Sequence, residues 1–170
     1  MIHLITGGER SGKSAYAQQL ALEQTDSPVY LATARRRPDD DGWTERLTRH
    51  QQSRDARWHT VEEPLHLHRV IPPHRVVVVD CVTLWISNWL AEQAYDKDAA
   101  LVAAQREFDQ LATSESELLI VTNEVGMGLH ASTAVGRDFV ELQGWMNQYI
   151  AQRAERVTFL VSGIPLPIKP

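Results

Sequence analysis

The residues best able to do chemistry lie near the start of the chain, in the octet GGERSGKS. The octet fits the pattern G-x-x-x-x-G-K-[ST], in which a glycine-bordered turn directs backbone N–H groups onto phosphate oxygens. Lys13 adds a positive charge for the β- and γ-phosphates, and the Ser14 hydroxyl suits Mg²⁺. An apolar run precedes the octet and a helical pattern follows it, as this type of loop requires. The octet therefore predicts a nucleoside triphosphate site made of Gly7, Gly8, Glu9, Arg10, Ser11, Gly12, Lys13 and Ser14.

A carboxylate that could share the Mg²⁺ follows the four valines 76–79. Asp80 is costly to place directly after such a run unless it has a partner, and hydrated Mg²⁺ is one. In phosphate-loop proteins this carboxylate normally ends a neighbouring strand. We therefore expect Ser14 and Asp80 to hold the Mg²⁺, the alternative for Asp80 being a helix N-cap or a turn. Cys81, next to it, is expected to be a small buried residue and not a nucleophile.

Elements of two kinds alternate along the chain. Short runs of Val, Ile and Leu without alternation predict strands covered on both faces, over 2–5, 29–31, 76–79, 118–121 and 157–161. Apolar residues at helical spacing predict helices over about 13–24, 43–53, 83–93, 98–111 and 137–154. Because helix-length spacers permit parallel crossovers, we expect an α/β fold of the P-loop NTPase type. In this fold helices flank a mainly parallel sheet.

Length and charge exclude several classes of protein. The 170 residues suit a single domain over 1–170 with one core. The net charge is -5, and no basic block could follow a nucleic-acid backbone or an anionic membrane. Cys81 is the one cysteine, so no intrachain disulfide is possible and a reducing cytoplasm is expected. The chain has no long uncharged apolar run, so we expect no membrane span.

Three classes of phosphate-loop protein fit these features to different degrees. A regulatory GTPase normally has an Asn-Lys-x-Asp motif after a late strand, where this chain has Thr122-Asn123-Glu124-Val125. A nucleic-acid motor requires a basic track that is missing here. A small-molecule kinase is the remaining class, and a nucleotide-binding regulator that uses hydrolysis as a switch is its non-enzymatic alternative.

The chain also has seven histidines, which are candidate nucleophiles or metal ligands. His50 lies in the segment ERLTRHQQSR, where the flanking arginines could neutralise phosphates. From the residues alone, a solvated helix face is still the better interpretation of His50. His66 and His68 would share a face only on a strand, and no third ligand is evident, so a metal pair is not expected.

The order of these motifs resembles the bifunctional adenosylcobinamide kinase / adenosylcobinamide-phosphate guanylyltransferase family of cobalamin biosynthesis. The matching stretches are GGERSGKS, YLATA at 30–34, RLTRHQQSRDARWHTVEEP at 46–64, VVVVDCVTLWISNWL at 76–90, VTNEVGMG at 121–128 and GRDFVELQGWMNQYIAQRAERVTFLVSGIPLPIK at 136–169. The phosphate loop is generic, whereas the NEVGMG segment and the R-x3-H-x3-R-x3-W-x-T-x-E spacing are more specific. The fold implied by the resemblance is RecA-like.

The resemblance implies an enzyme that phosphorylates adenosylcobinamide with ATP or GTP. The enzyme then transfers GMP from GTP, through a guanylyl-histidine, to give adenosylcobinamide-GDP. By the same resemblance Lys13 is catalytic and His50 is the guanylylated residue, with His59 as the second candidate. Residues expected to contact the guanine nucleotide are Thr33, Ala34, Arg35, Gln51, Gln52, Ser53, Arg54, Glu62 and Asp80. Relatives form trimers, so a homo-oligomer such as a trimer is implied, with adenosylcobinamide and its phosphate as partners.

Overall fold

The computed structural model describes residues 1–35, 42 and 54–170. Their strands and helices are, in chain order, β1 (Ile2–Gly7), α1 (Lys13–Gln24), β2 (Val29–Ala32), β3 (His59–Glu62), β4 (Val76–Asp80), α2 (Val82–Glu92), α3 (Lys97–Ala112), β5 (Glu117–Val121), α4 (Ala134–Arg153), β6 (Arg156–Val161) and β7 (Ile164–Lys169). The short 3-10 helix Leu67–Arg69 lies between β3 and β4. The helix predicted over 43–53 falls outside the described residues. Among the helices that are described, none is long and apolar enough to span a bilayer.

The strands form one seven-stranded sheet in the order β3-β2-β4-β5-β1-β6-β7. Every neighbouring pair is parallel except β6 and β7, which are antiparallel. This confirms the predicted α/β fold with a mainly parallel sheet, in which the phosphate loop joins strand β1 to helix α1. One detail differs from expectation: β5 lies between β1 and β4, so the strand that ends at Asp80 is not adjacent to the strand that leads into the phosphate loop.

Two edge strands, β3 and β7, were not predicted from the sequence patterns. β3 has the sequence HTVE and is mostly exposed, so it lacks the apolar run that marks a buried strand. β7 has the sequence IPLPIK and is exposed along its whole length. Its prolines argue against a central strand, but proline is tolerated at a sheet edge. A tight turn at Ser162 and Gly163, with φ of 52° and 81°, returns the chain from β6 to pair as β7.

Successive strand residues enter cores on opposite faces of the sheet. On one face Leu4 and its neighbours pack with helices α2, α3 and α4, through buried residues such as Trp85 and Phe108. On the other face Ile5 packs with α1 and with Tyr30 of β2. Because helices cover both faces, the strands need no polar side, which explains their unbroken apolar runs.

Phe108 provides a test of the larger core. Its side chain is 1% exposed, and its ring lies 6.1 Å from the ring of Tyr149. We expect Phe108→Ala to lower the free energy of unfolding by about 3–5 kcal/mol, because the truncation leaves a cavity. Val102 on the same helix is 46% exposed, so Val102→Ala should change the free energy of unfolding by less than about 0.5 kcal/mol. Urea unfolding of both variants measures the difference, and equal losses would contradict the core assignment.

Candidate active site

The carboxyl ends of the parallel strands bring many of the predicted site residues to one edge of the sheet. In the strand register Ala32 pairs with Glu62 on one side and with Asp80 on the other. Asp80 pairs in turn with Val121 of β5. Strand β1 lies on the other side of β5 and ends at Gly7. Ligands of parallel α/β sheets bind outside this edge. The residues that directly follow β2 lie at the same edge, namely Thr33, Ala34 and Arg35.

The phosphate loop packs against the turn between β6 and β7. The Gly163 N–H donates to the Ser11 carbonyl at 2.9 Å. A Cβ atom on Gly7, where φ is +154°, would lie 2.6 Å from the Leu160 carbonyl oxygen. Gly12 has φ +97°, and a Cβ there would lie 3.2 Å from the Gly163 Cα. The two glycines of the motif are therefore required by close backbone contacts as well as by their dihedral angles.

Helix α1 begins directly after this loop in a way that suits an anion. Gly12 is its N-cap and has no side chain that could cap the helix start, and no acidic residue lies in the first turn. The first N–H groups of a helix have no partner within the helix, and the dipole places partial positive charge there. The start of α1 can therefore bind a phosphate group, with the Ser14 hydroxyl in its first turn.

The Lys13 side chain lies against the loop. It is 6% exposed, and its Nζ donates to the Gly8 carbonyl at 2.5 Å. Burial lowers the pKa of the Lys13 ammonium, and the negative charges of Asp80 and Glu9 oppose this shift. A buried ammonium held by a carbonyl oxygen is well placed to exchange that partner for a phosphate oxygen.

Asp80 is held by a tyrosine that the motifs did not single out. The Tyr30 hydroxyl donates to the Asp80 Oδ2 atom at 2.7 Å. The Arg54 guanidinium lies 3.8 Å from the centre of the Tyr30 ring, and the Trp58 ring meets it edge-on at 5.9 Å. Burial and the Asp80 carboxylate raise the pKa of Tyr30 far above its usual range. The sequence signal for this residue was an aromatic side chain within the short apolar strand β2.

The Thr33 side chain fixes the turn that follows Asp80. Its hydroxyl donates to the Cys81 carbonyl at 2.8 Å and accepts a hydrogen bond from the Cys81 N–H at 2.9 Å. Thr33 is fully buried, and the Asn88 side chain donates to its carbonyl at 2.8 Å. Burial raises the pKa of the Cys81 thiol to about 12, so it is protonated at neutral pH. Thr33 thus bonds within the protein, and Cys81 is not an active nucleophile.

A buried polar network, also missed from the sequence, holds the end of β5. The Gln143 Nε2 atom donates to the Thr122 hydroxyl at 2.9 Å and to Asn147 Oδ1 at 2.8 Å. Asn147 in turn donates to the Asn123 carbonyl at 3.1 Å. The Glu124 N–H donates to the carbonyl of Gly7 at 3.0 Å. Helix α4 therefore fixes Asn123 and Glu124 next to the phosphate loop.

The described histidines fall in several different places. His3 is buried and shares a 2.8 Å hydrogen bond with the Thr158 hydroxyl. His66 and His68 both contact the buried carboxylate of Glu107. In the described ranges 1–35 and 54–170, no group of three or more His, Cys, Asp or Glu side chains could hold a metal ion. The contacts with Glu107 account for the two imidazoles at 66 and 68.

Several predicted site residues cannot be placed at this edge. Outside the described residues lie His50, Gln51, Gln52 and Ser53. His59 begins β3, about 10 Å of strand before Glu62 at the ligand edge, so its position does not favour it as a nucleophile. His130 is exposed in the loop that leaves the ligand edge after β5. Arg35, by contrast, follows β2 at this edge, and its side chain pairs with Glu92 at 3.0 Å.

The donor set at this edge fits Mg²⁺. This ion prefers oxygen ligands and is usually bound by one or two carboxylates together with substrate phosphates, not by a cage of protein ligands. Ser14 offers a hydroxyl, and Asp80 has one carboxylate oxygen besides the one bonded to Tyr30. Within the described part of the chain, no larger cluster of metal-binding side chains competes with this pair.

Sequence comparison identifies similar proteins over nearly the whole chain. A family model described as cobinamide kinase / cobinamide phosphate guanyltransferase matches residues 3–168. The bifunctional adenosylcobalamin biosynthesis protein CobP of Pseudomonas aeruginosa is 38% identical, over 99% of this chain and 98% of the relative. The proteins named CobU of Escherichia coli and Salmonella typhimurium are 36% and 33% identical, over 99% of this chain and 100% of each relative.

Thr33→Val tests whether the Thr33 hydroxyl bonds within the protein. We expect this variant to lose about 1–3 kcal/mol of unfolding free energy, because the Cys81 N–H and carbonyl lose their partner in a buried turn. The Thr113 hydroxyl donates to the Gln110 carbonyl at an exposed helix end, so Thr113→Val is the matched control and should lose less. Thermal melting reports stability. Unchanged stability of Thr33→Val with weakened nucleotide binding would indicate a ligand contact.

Proposed function

Because the chain belongs to the cobinamide kinase / cobinamide phosphate guanyltransferase family, we propose that it carries out two consecutive reactions on one corrinoid. The first transfers a phosphoryl group from ATP or GTP to adenosylcobinamide. The second transfers GMP from GTP to adenosylcobinamide phosphate, giving adenosylcobinamide-GDP. The observation that carries the proposal is the phosphate loop of residues 7–14, set at the same sheet edge as Asp80. The enzyme acts in the cytoplasm as a homo-oligomer such as a trimer.

The kinase step uses the phosphate loop to hold the nucleotide tail. The aminopropanol hydroxyl of adenosylcobinamide attacks the γ-phosphorus, a new P–O bond forms, and the nucleoside diphosphate leaves. Lys13 exchanges the Gly8 carbonyl for the β- and γ-phosphate oxygens and neutralises charge as it develops. The loop N–H groups and the start of α1 hold the same oxygens. Glu124 and Asn123, fixed beside Gly7, orient the attacking hydroxyl.

Ser14 and Asp80 are the residues that would hold Mg²⁺. When bound, this ion would neutralise charge on the phosphate groups of the nucleotide. Asp80 contributes its second carboxylate oxygen, since the first accepts a hydrogen bond from Tyr30. Arg54, whose guanidinium lies on the Tyr30 ring, adds positive charge on the same side of the nucleotide.

The guanylyltransferase step uses His50 as the nucleophile. A neutral imidazole nitrogen attacks the α-phosphorus of GTP, a P–N bond forms, and pyrophosphate leaves. A phosphate oxygen of adenosylcobinamide phosphate then attacks the same phosphorus and breaks the P–N bond, which returns the imidazole. Binding of the guanine nucleotide draws on Gln51, Gln52, Ser53, Glu62, Ala34 and Arg35. This assignment is supported by the family pattern and by the arginines around His50.

Labelling with GTP carrying a radioactive α-phosphate tests the His50 assignment. We expect wild-type protein to retain acid-labile, base-stable label, as a phosphoramidate would, and His50→Ala to retain none. His130→Ala is the matched control, since His130 is exposed near the same sheet edge and should be dispensable. Label that survives in His50→Ala would contradict the guanylyl-histidine at this position while leaving the kinase step open.

Replacement of Lys13 tests the kinase step. We expect Lys13→Ala to reduce phosphate transfer to adenosylcobinamide by about 10²- to 10³-fold or more, because one positive donor is lost from the transferred phosphate. Lys97 is half-buried and pairs with Asp138 and Glu141 on helix α4, so Lys97→Ala is the control and should keep its activity. Corrinoid phosphate formation is measured with ATP and with GTP separately. Near-normal turnover of Lys13→Ala would remove the phosphate loop from the mechanism.

A further inference from the structure

We propose that Tyr30 is a positioning residue for phosphate transfer: its hydroxyl fixes one oxygen of Asp80 and leaves the other to the Mg²⁺. The inference rests on the proposed function, because it assumes a nucleotide and a metal ion at this edge of the sheet. It assigns a role to a side chain that the sequence analysis did not name as a site residue. Tyr30 touches neither the nucleotide nor the metal in this proposal and acts only through Asp80.

The contact follows from the pairing of β2 with β4. Ala32 is the partner of Asp80, and Tyr30 lies two residues before Ala32, so Tyr30 and Asp80 extend from the same face of the sheet. The Tyr30 side chain is long enough to cross to the neighbouring strand, two positions further along, and its hydroxyl reaches Asp80 Oδ2 at 2.7 Å. Over residues 1–35 and 54–170, the Asp80 carboxylate makes no other hydrogen bond. One of its oxygens thus has a hydrogen bond, and the other has none within the described part of the chain.

Contacts on the Tyr30 ring fix the position of its hydroxyl. The side chain is 5% exposed. The Arg54 guanidinium covers one ring face at 3.8 Å, and Trp58 packs edge-on with its ring plane at 82° to that of Tyr30. The packing of the ring therefore holds the hydroxyl in place against Asp80 Oδ2.

A fixed carboxylate matters because Mg²⁺ requires near-ideal octahedral geometry. Without the hydroxyl, the Asp80 carboxylate could rotate about its terminal bond, and ordering it would oppose metal binding. Residues that orient metal ligands typically change metal affinity by about 10–100-fold when they are replaced. Loss of the Tyr30 hydroxyl should weaken the metal-dependent part of nucleotide binding. It should not change the part that the loop N–H groups and Lys13 provide.

Tyr30→Phe is the variant that tests this inference. It removes the hydroxyl and keeps the ring that Arg54 and Trp58 contact. We expect the complex with a non-hydrolysable ATP analogue to bind Mn²⁺ about tenfold more weakly, as measured by electron paramagnetic resonance. Affinity for the same analogue in EDTA should match that of the wild type.

The chain offers a matched control in Tyr149. Its hydroxyl donates to Asp109 at 2.8 Å, and the Arg153 guanidinium lies 3.5 Å from its ring centre, which repeats the Arg–Tyr–Asp arrangement. Tyr149 lies near the end of α4, which leads to the start of β6 at the opposite sheet edge. Tyr149→Phe should therefore leave Mn²⁺ affinity unchanged.

The possible results separate the inference from the function on which it rests. Unchanged Mn²⁺ affinity in Tyr30→Phe overturns the inference. Equal weakening of analogue binding with and without metal also overturns it, because that result indicates a general disturbance of the site. An equal loss in Tyr149→Phe does the same. If wild-type protein binds neither the analogue nor Mn²⁺, the proposed function fails and the inference fails with it.

Discussion

Parallel hydrogen bonding between β2, β4, β5 and β1 is the constraint on which the site depends. Parallel strands all end at the same edge, so residues far apart in sequence meet there. Gly7, Thr33, Asp80 and Asn123 all follow this rule. The buried apolar runs make this arrangement stable, and the polar residues directly after them form the site. Loss of register in one strand would displace its site residue by a full side-chain position.

Sequence patterns predicted this arrangement where the local signal was strong. The phosphate loop, Asp80 after four valines, and the buried strands all have signals that lie within a few neighbouring residues. The strands β3 and β7 do not, because their pairing depends on neighbours that are distant in sequence. The position of β5 between β1 and β4 is likewise a property of the assembled sheet. No local pattern encodes which strand lies next to which.

The positioning residues were missed for a related reason. Tyr30, Gln143 and Asn147 are ordinary residues of a strand or a helix, and only the folded chain places their polar atoms against the ends of β4 and β5. Buried polar networks are strong when satisfied and costly when incomplete. The Gln143 Oε1 atom has no hydrogen-bond partner within the described part of the chain. This network is therefore sensitive to any change around the Asn123 segment.

The outer strand β7 limits how the sheet can be extended. Pro165 and Pro167 have no N–H, so the free edge lacks donors at two alternate positions. Another strand could not continue the hydrogen-bonded ladder there, which protects the protein against fibril-like growth of the sheet. Ile164, Leu166 and Ile168 nevertheless remain exposed on the same strand. Any association through this hairpin would have to use side-chain packing and not backbone pairing.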